Sequence, residues 1–221
     1  MTATRLADPA TFVLTNTKIL APPLVPEIQL HLAEESLPIW MKAEEELGTT
    51  GLPPPYWAFA WAGGQALSRY CLDTPTFLAG RLVLDLAAGC GIVGIAAMKA
   101  GAVRAVCNDI DDFAGAAIEL NATLNRVSVT IQLADLLSGP PAQADVILVG
   151  DVFYEKPLAD RALRWLRACR AAGSAVLTGD PKRSYFPRDA FDHVADYRVP
   201  VSRELEDVDI KHTSVWRLKA N

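Results

Sequence analysis

From residue 81 onward, short apolar runs alternate with segments of helical periodicity, and this alternation constrains the fold more than any other feature of the sequence. Strands are expected at Arg81–Leu86, Ala102–Asn108, Ser128–Leu133, Ala144–Gly150 and Ser174–Thr178, with helices at Ile92–Ala100, Asp112–Asn125 and Lys156–Ala171 between them. Strands that are apolar on both faces and joined by helices belong to a parallel sheet covered on both sides, so an α/β fold is expected. Such sheets bind ligands at the carboxyl ends of their strands, where the strand order reverses. The tail, through Val194–Val201 and Thr213–Leu218, reads as a closing hairpin.

Upstream, Thr11–Leu20 and Ile28–Leu32 read as two strand-like pieces parted by Pro22, Pro23 and Pro26. Ser36 is placed to cap a helix with Pro38 in its first turn and Ile39, Trp40, Ala43 and Leu47 at helical spacing. Gly48–Pro55 reads as a loop, which divides the chain into an N-terminal extension, 1–50, and a main domain, 51–221. Trp57 and Trp61 fit core packing on a helix; the prolines before them and Gly63-Gly64 after them favour a loop folded over a ligand, with Trp61 and Gly63 as contacts.

Composition removes several classes. The chain has 221 residues, 51% of them hydrophobic, enough for one substantial core. With 21 basic against 26 acidic residues it has no electrostatic footprint for nucleic acid. Cys71, Cys90, Cys107 and Cys169 are too scattered for a zinc or disulfide framework and read as reduced packing residues; His31, His193 and His212 make no ligand pair, so no metal is expected. No apolar run reaches the ~20 residues of a membrane span, and the N-terminus carries Asp8 and Pro9 instead of a targeting pattern, so a cytoplasmic protein is expected; a monomer is the accompanying expectation, on which these features do not bear.

The chemistry gathers around Val83-Leu84-Asp85-Leu86-Ala87-Ala88-Gly89-Cys90-Gly91, a turn from strand to helix. Glycine lets a ligand approach the backbone there, and the helix N-terminus offers unpaired N–H groups. Gly89-Cys90-Gly91-Ile92-Val93-Gly94 fits a dinucleotide fingerprint, and Asp109 stands 20 residues after Gly89 where a ribose acid would be. Asp85 serves a pyrophosphate poorly and a cationic amino-acid moiety well, and Asp135 adds a further acid after the third strand. The balance favours a sulfonium cofactor carrying an ammonium group over a nicotinamide dinucleotide.

With Asp85–Gly91, Asn108-Asp109-Ile110-Asp111, Ala134-Asp135-Leu136 and Gly150-Asp151-Val152-Phe153-Tyr154 in this order, the chain resembles the seven-strand class I methyltransferases dependent on S-adenosylmethionine (SAM). The resemblance implies a Rossmann-like, mostly parallel sheet with helices on both faces, an antiparallel final strand and a short N-terminal β/α extension. It implies that Asp85, Ala87, Gly89, Gly91 and Gly150 surround the cofactor, that Asp109 holds the ribose hydroxyls, that Ile110 packs on the adenine, and that Asp135 with Leu136 meets its amine edge. Ala87 departs from the pattern, standing where many members have glycine. The Pro55–Gly64 run and the Asp-x-x-Tyr of Asp151–Tyr154 narrow the resemblance to the protein-lysine methyltransferase subgroup that includes the electron transfer flavoprotein β-subunit enzymes, some of whose relatives are labelled nicotinamide N-methyltransferase-like. That subgroup implies a protein substrate, the β subunit of electron transfer flavoprotein.

Methyl transfer from a sulfonium is an in-line displacement, which needs alignment and exclusion of water, not a metal. A lysine amine has a reference pKa of ~10.4, so its neutral form costs about 4 to 5 kcal/mol at pH 7. Asp151 is expected to hold the incoming amine and Tyr154 to complete its pocket, with Tyr56 and Phe59 as further candidate walls; capping of the helix at Lys156 is the alternative reading of Asp151. The Asp180–Pro187 loop is either an acceptor-side loop or a solvated turn. A small-molecule N-methyltransferase, a catalytically silent SAM-binding protein and a nicotinamide dehydrogenase are the competing readings.

Overall fold

The computed structural model describes residues 8–34, 36–47, 50–51, 54–201 and 208–220. The chain opens on α1 (Pro9–Asn16), a helix where the sequence suggested a strand from Thr11. The cap overrides the β-branched residues: the Asp8 carboxylate accepts from the Thr11 N–H at 3.2 Å and its hydroxyl at 2.8 Å, and Pro9 occupies the first turn. Only β1 (Lys18–Leu20) is extended, pairing antiparallel with β2 (Leu30–Leu32). The expected helix follows as α2 (Ser36–Leu47); the capping role foreseen for Ser36 lies outside the described side chains.

Side chains of a core helix fasten this extension. α3 (Ala62–Asp73), β3 (Leu82–Leu86), α4 (Ile92–Lys99), β4 (Arg104–Asp109) and α5 (Asp112–Leu124) follow in order. Asn121 of α5 accepts the His31 N–H at 2.7 Å and donates to the Cys90 carbonyl at 2.9 Å; the Asn125 carboxamide oxygen accepts the Gln29 N–H at 3.1 Å.

α3 corrects the sequence reading, in which Gly63-Gly64 belonged to a loop. It starts without a capping side chain and with two glycines, so propensity does not explain it. Tertiary contact does: every residue from Ala62 to Ser68 is buried, and so is Cys71.

β5 (Thr130–Leu133), β6 (Val146–Gly150), α6 (Lys156–Ala171), β7 (Ala175–Asp180), β8 (Phe191–Pro200) and β9 (Ile210–Leu218) complete the chain. One seven-stranded sheet runs β5-β4-β3-β6-β7-β9-β8, parallel except for β9, which is antiparallel to both neighbours. On one face Leu67 of α3 and Ile95 of α4 pack with Val83, Leu148, Leu177 and Val215; on the other Trp165 and Leu166 of α6 pack with Leu84, Ile147, Val176 and Trp216. Each fully buried aliphatic side chain contributes about 1.5–3 kcal/mol by leaving water. The order reverses between β3 and β6, opening a crevice at their carboxyl ends.

Candidate active site

A cavity of about 750 Å³ occupies that crevice, within the ~300–1,000 Å³ range of small-ligand sites. Its two ends differ in construction.

At the first end, β3 delivers Asp85, 1% exposed, whose carboxylate accepts the Gly94 N–H at 2.8 Å. Burial pushes its carboxyl up to about 7, with the charge of Asp109 adding and the Gly94 N–H opposing. The turn to α4 runs through left-handed residues, Ala87 (φ +54), Gly89 (φ +53) and Gly91 (φ +78). Ala87 and Gly89 line the cavity; Gly91 faces Ile118 of α5 behind the wall and shapes the turn instead of touching the space. Asp109, closing β4, accepts the Gly89 N–H at 2.9 Å and the Ile110 N–H at 2.8 Å, which ties the two loops together. Ile110 (76% exposed) and Leu133 (45%) present uncovered apolar surface to the cavity. Leu136 lines it as well, as does Asp135, but the Asp135 carboxylate is already engaged by Arg161 at 2.5 Å and the Ser138 hydroxyl at 2.8 Å, partners that the sequence did not indicate. Cys90 is a wall residue whose thiol burial pushes up to about 12.

At the second end, β6 closes on Gly150, which lines the cavity, and Asp151, a left-handed residue (φ +56). The Asp151 N–H donates to the Gly179 carbonyl at 3.0 Å. One carboxylate oxygen accepts the N–H groups of Gly63 (2.5 Å) and Gly64 (3.2 Å) at the start of α3; the other accepts Nε (2.9 Å) and Nη2 (2.6 Å) of Arg183. Only glycine permits this approach. A Cβ on Gly63 would collide with the Gly179 carbonyl and Asp151, and one on Gly179 with the Gly63 carbonyl. Gly63 therefore lies behind the wall, holding Asp151, and not on the cavity where the sequence placed it.

Aromatic rings frame this end. Tyr154 lies 5.3 Å from Tyr56, Tyr56 lies 6.1 Å from Trp61, and the Trp61 indole N–H donates to the Tyr56 carbonyl at 2.9 Å. Burial, then the neighbouring Tyr56, pushes the Tyr154 phenol up to about 12. Phe59 lines the cavity too, and Trp57 does so while stacking on Phe113. The Arg183 guanidinium sits 5.8 Å from the Trp61 ring centroid. Arg183 belongs to the Asp180–Pro187 loop, which the sequence offered as an acceptor-side loop or a solvated turn, and it lines the cavity; Arg161 and Leu133 line it too, and the sequence did not single them out.

Residues 65–155 match the ribosomal protein L11 methyltransferase (PrmA) family. The electron transfer flavoprotein beta subunit lysine methyltransferase of Danio rerio is 39% identical over 217 residues, covering 95% of this chain and 83% of the relative. Its Homo sapiens counterpart is 39% identical over 212 residues, covering 93% and 80%. The chain belongs to the electron transfer flavoprotein beta subunit lysine methyltransferase family. Solved structures share the fold of this methyltransferase at low identity. Ribosomal protein L11 methylase from Lactobacillus delbrueckii subsp. bulgaricus matches with TM-score 0.50 and 20% identity over 69% of this chain and 77% of that one. Magnesium protoporphyrin IX methyltransferase from Synechocystis, solved with SAM bound, matches with TM-score 0.50 and 18% identity over 71% and 79%. Among the described residues, no helix is long and apolar enough to cross a membrane.

Proposed function

We propose that this methyltransferase uses SAM to methylate lysine side chains of the beta subunit of electron transfer flavoprotein, acting as a cytoplasmic monomer. The carrying observation is the 38–39% identity to four relatives so named, over 87–95% of this chain.

The donor set of the first end suits the cofactor. Asp85 is a buried acid matched to an ammonium, Asp109 an acceptor matched to a ribose diol, and Ile110 with Leu133 an apolar slot matched to a flat base. Gly89 and Ala87 bring backbone to the cavity wall, Gly150 adds wall at the end of β6, and Leu136 and Asp135 stand at the rim. When bound, SAM supplies an electrophilic methyl group on a sulfonium. Everything else falls to the chain: Tyr56, Trp61 and Tyr154 exclude water around the lysine stem, and Asp151 holds α3 and Arg183 in place at the acceptor end. Tyr154 stays protonated at neutral pH, so it serves as a hydrogen-bond donor and wall, not as a base.

Incubation with labelled SAM and recombinant electron transfer flavoprotein beta subunit, followed by peptide mass spectrometry, should place the label on lysine. Label confined to small amines in an extract would replace the protein-lysine reading with a small-molecule one; stabilisation by NAD and not by S-adenosylhomocysteine would end the methyltransferase assignment of the cavity.

A further inference from the structure

We propose that Arg183 keeps the acceptor lysine in its neutral, nucleophilic form by cancelling the charge of Asp151 at the acceptor end of the cavity. The proposal rests on the lysine reading above.

A bare carboxylate beside the entering amine would bind it as ammonium, raising its pKa in the direction opposite to what attack requires. Asp151 is not bare. Its Oδ1 is held by two guanidinium nitrogens of Arg183 at 2.6 and 2.9 Å, and its Oδ2 by two N–H groups at the positive end of α3. One negative charge thus meets a full positive charge and roughly half of another from the helix terminus. A cationic surrounding lowers the pKa of a nearby amine and is a known way to activate lysine. Arg183 is itself secured, with its guanidinium over Trp61, its N–H donated to Asp180 at 2.8 Å, and its side chain in the cavity wall.

Other charged or titratable groups surround this pair, and one of them is part-ionised at neutral pH. Asp180, at the end of β7, is fully buried with one carboxylate oxygen unpartnered, and burial with the Asp151 charge pushes it up to about 7. Tyr154 and Tyr56 are neutral phenols, both held upward by burial. Lys182 and Glu155 flank the site on the loops after β7 and β6, and Asp109 and Asp85 belong to the cofactor end. The lysine sheds its proton to solvent at the mouth. Its lone pair then forms the new C–N bond as the carbon–sulfur bonding pair leaves with sulfur, so no internal base is required.

The test is the pH dependence of kcat, which reports ionisations in the bound complex, for wild type, Arg183→Gln and Arg183→Lys on recombinant electron transfer flavoprotein beta subunit. Thermal stabilisation by S-adenosylhomocysteine checks that each variant is folded. In wild type the acid limb should lie at least one unit below the ~10.4 of free lysine. Arg183→Gln should move it up by about one unit, cutting kcat roughly tenfold at pH 7.5 and little at the alkaline plateau; Arg183→Lys should restore it. A pH-independent loss would make Arg183 a mere clamp, and a lower KM with an unmoved limb would make it a stand-in for substrate; either overturns the proposal. If Arg183→Gln fails to fold, a wild-type limb at the free-lysine value still overturns it. Absence of lysine methylation by wild type defeats the lysine reading and this proposal together, whereas methylation with an unmoved limb defeats this proposal alone.

Discussion

The two ends of the cavity use the same residue type in opposite ways. At the cofactor end, Asp85 and Asp109 take hydrogen bonds from backbone N–H groups of two consecutive strand–turn–helix units, from donors no more than 20 residues away. Among the described residues neither is paired with a cationic side chain, which leaves both carboxyl groups to a ligand. At the acceptor end, Asp151 takes its partners from α3, 87 and 88 residues before it, and from Arg183, 32 residues after it. Its charge is spent inside the protein. The cofactor end is thus a local device whose parts travel together along the chain, while the acceptor end is assembled by the tertiary fold.

That contrast breaks most visibly under alanine. Asp151→Ala leaves a largely buried guanidinium, 19% exposed, and two helix-terminal N–H groups without their acceptor, so unfolding free energy should fall by about 3–5 kcal/mol in a urea titration. Asp109→Ala removes an acceptor of backbone hydrogen bonds at a partly exposed loop junction; stability should fall by about 1–2 kcal/mol, with the larger effect, roughly 10- to 100-fold, appearing in SAM affinity by calorimetry. Equal losses of stability in the two variants would show that the ends are not built differently.

A smaller effect sharpens the same distinction. Asp85 ionises near 7 in the free protein because of its burial, and an ammonium beside it favours the carboxylate form, so SAM binding should release a proton below that pH. The sign follows: affinity rises with pH up to about 7, by up to tenfold per unit, and levels above it. Asp85→Asn should flatten this dependence. A wild-type affinity that is level from pH 6 to 8 would remove Asp85 as the ammonium partner.

The same division explains what was legible in the sequence. The five parallel strands and the helices α4, α5 and α6 fall within a few residues of their expected spans, because apolar runs and helical periodicity are local signals. So are Asp85, Asp109 and Ile110, which sit at strand ends. α3 was not legible: Gly63-Gly64 weakens its propensity, and it forms because its faces are buried and a carboxylate 88 residues away meets its first N–H groups. α1 was misread because Thr11, Val13 and Thr15 suggest a strand, while the deciding hydrogen bond comes from Asp8. The pairing of Asp135 with Arg161 spans 26 residues and two elements, beyond what any motif carries.

Ala87 tests the finest point of the comparison, whether the cofactor turn is itself strained. It holds φ +54 where no side chain is comfortable, and an L-residue in that region costs about 1–2 kcal/mol. Glycine relieves this strain but gives back about 0.5–1 kcal/mol through the greater freedom of the unfolded chain. Ala87→Gly should therefore stabilise the free protein by roughly 0.5–1 kcal/mol, a rise of a few degrees in Tm. The acceptor end should not notice, since the Asp151 hydrogen bonds with Gly63, Gly64 and Arg183 lie outside this turn. A destabilised Ala87→Gly protein would mean that the methyl group, at the cavity wall, packs well enough to outweigh its backbone strain, and that the turn is held by side-chain contact as well as by its glycines.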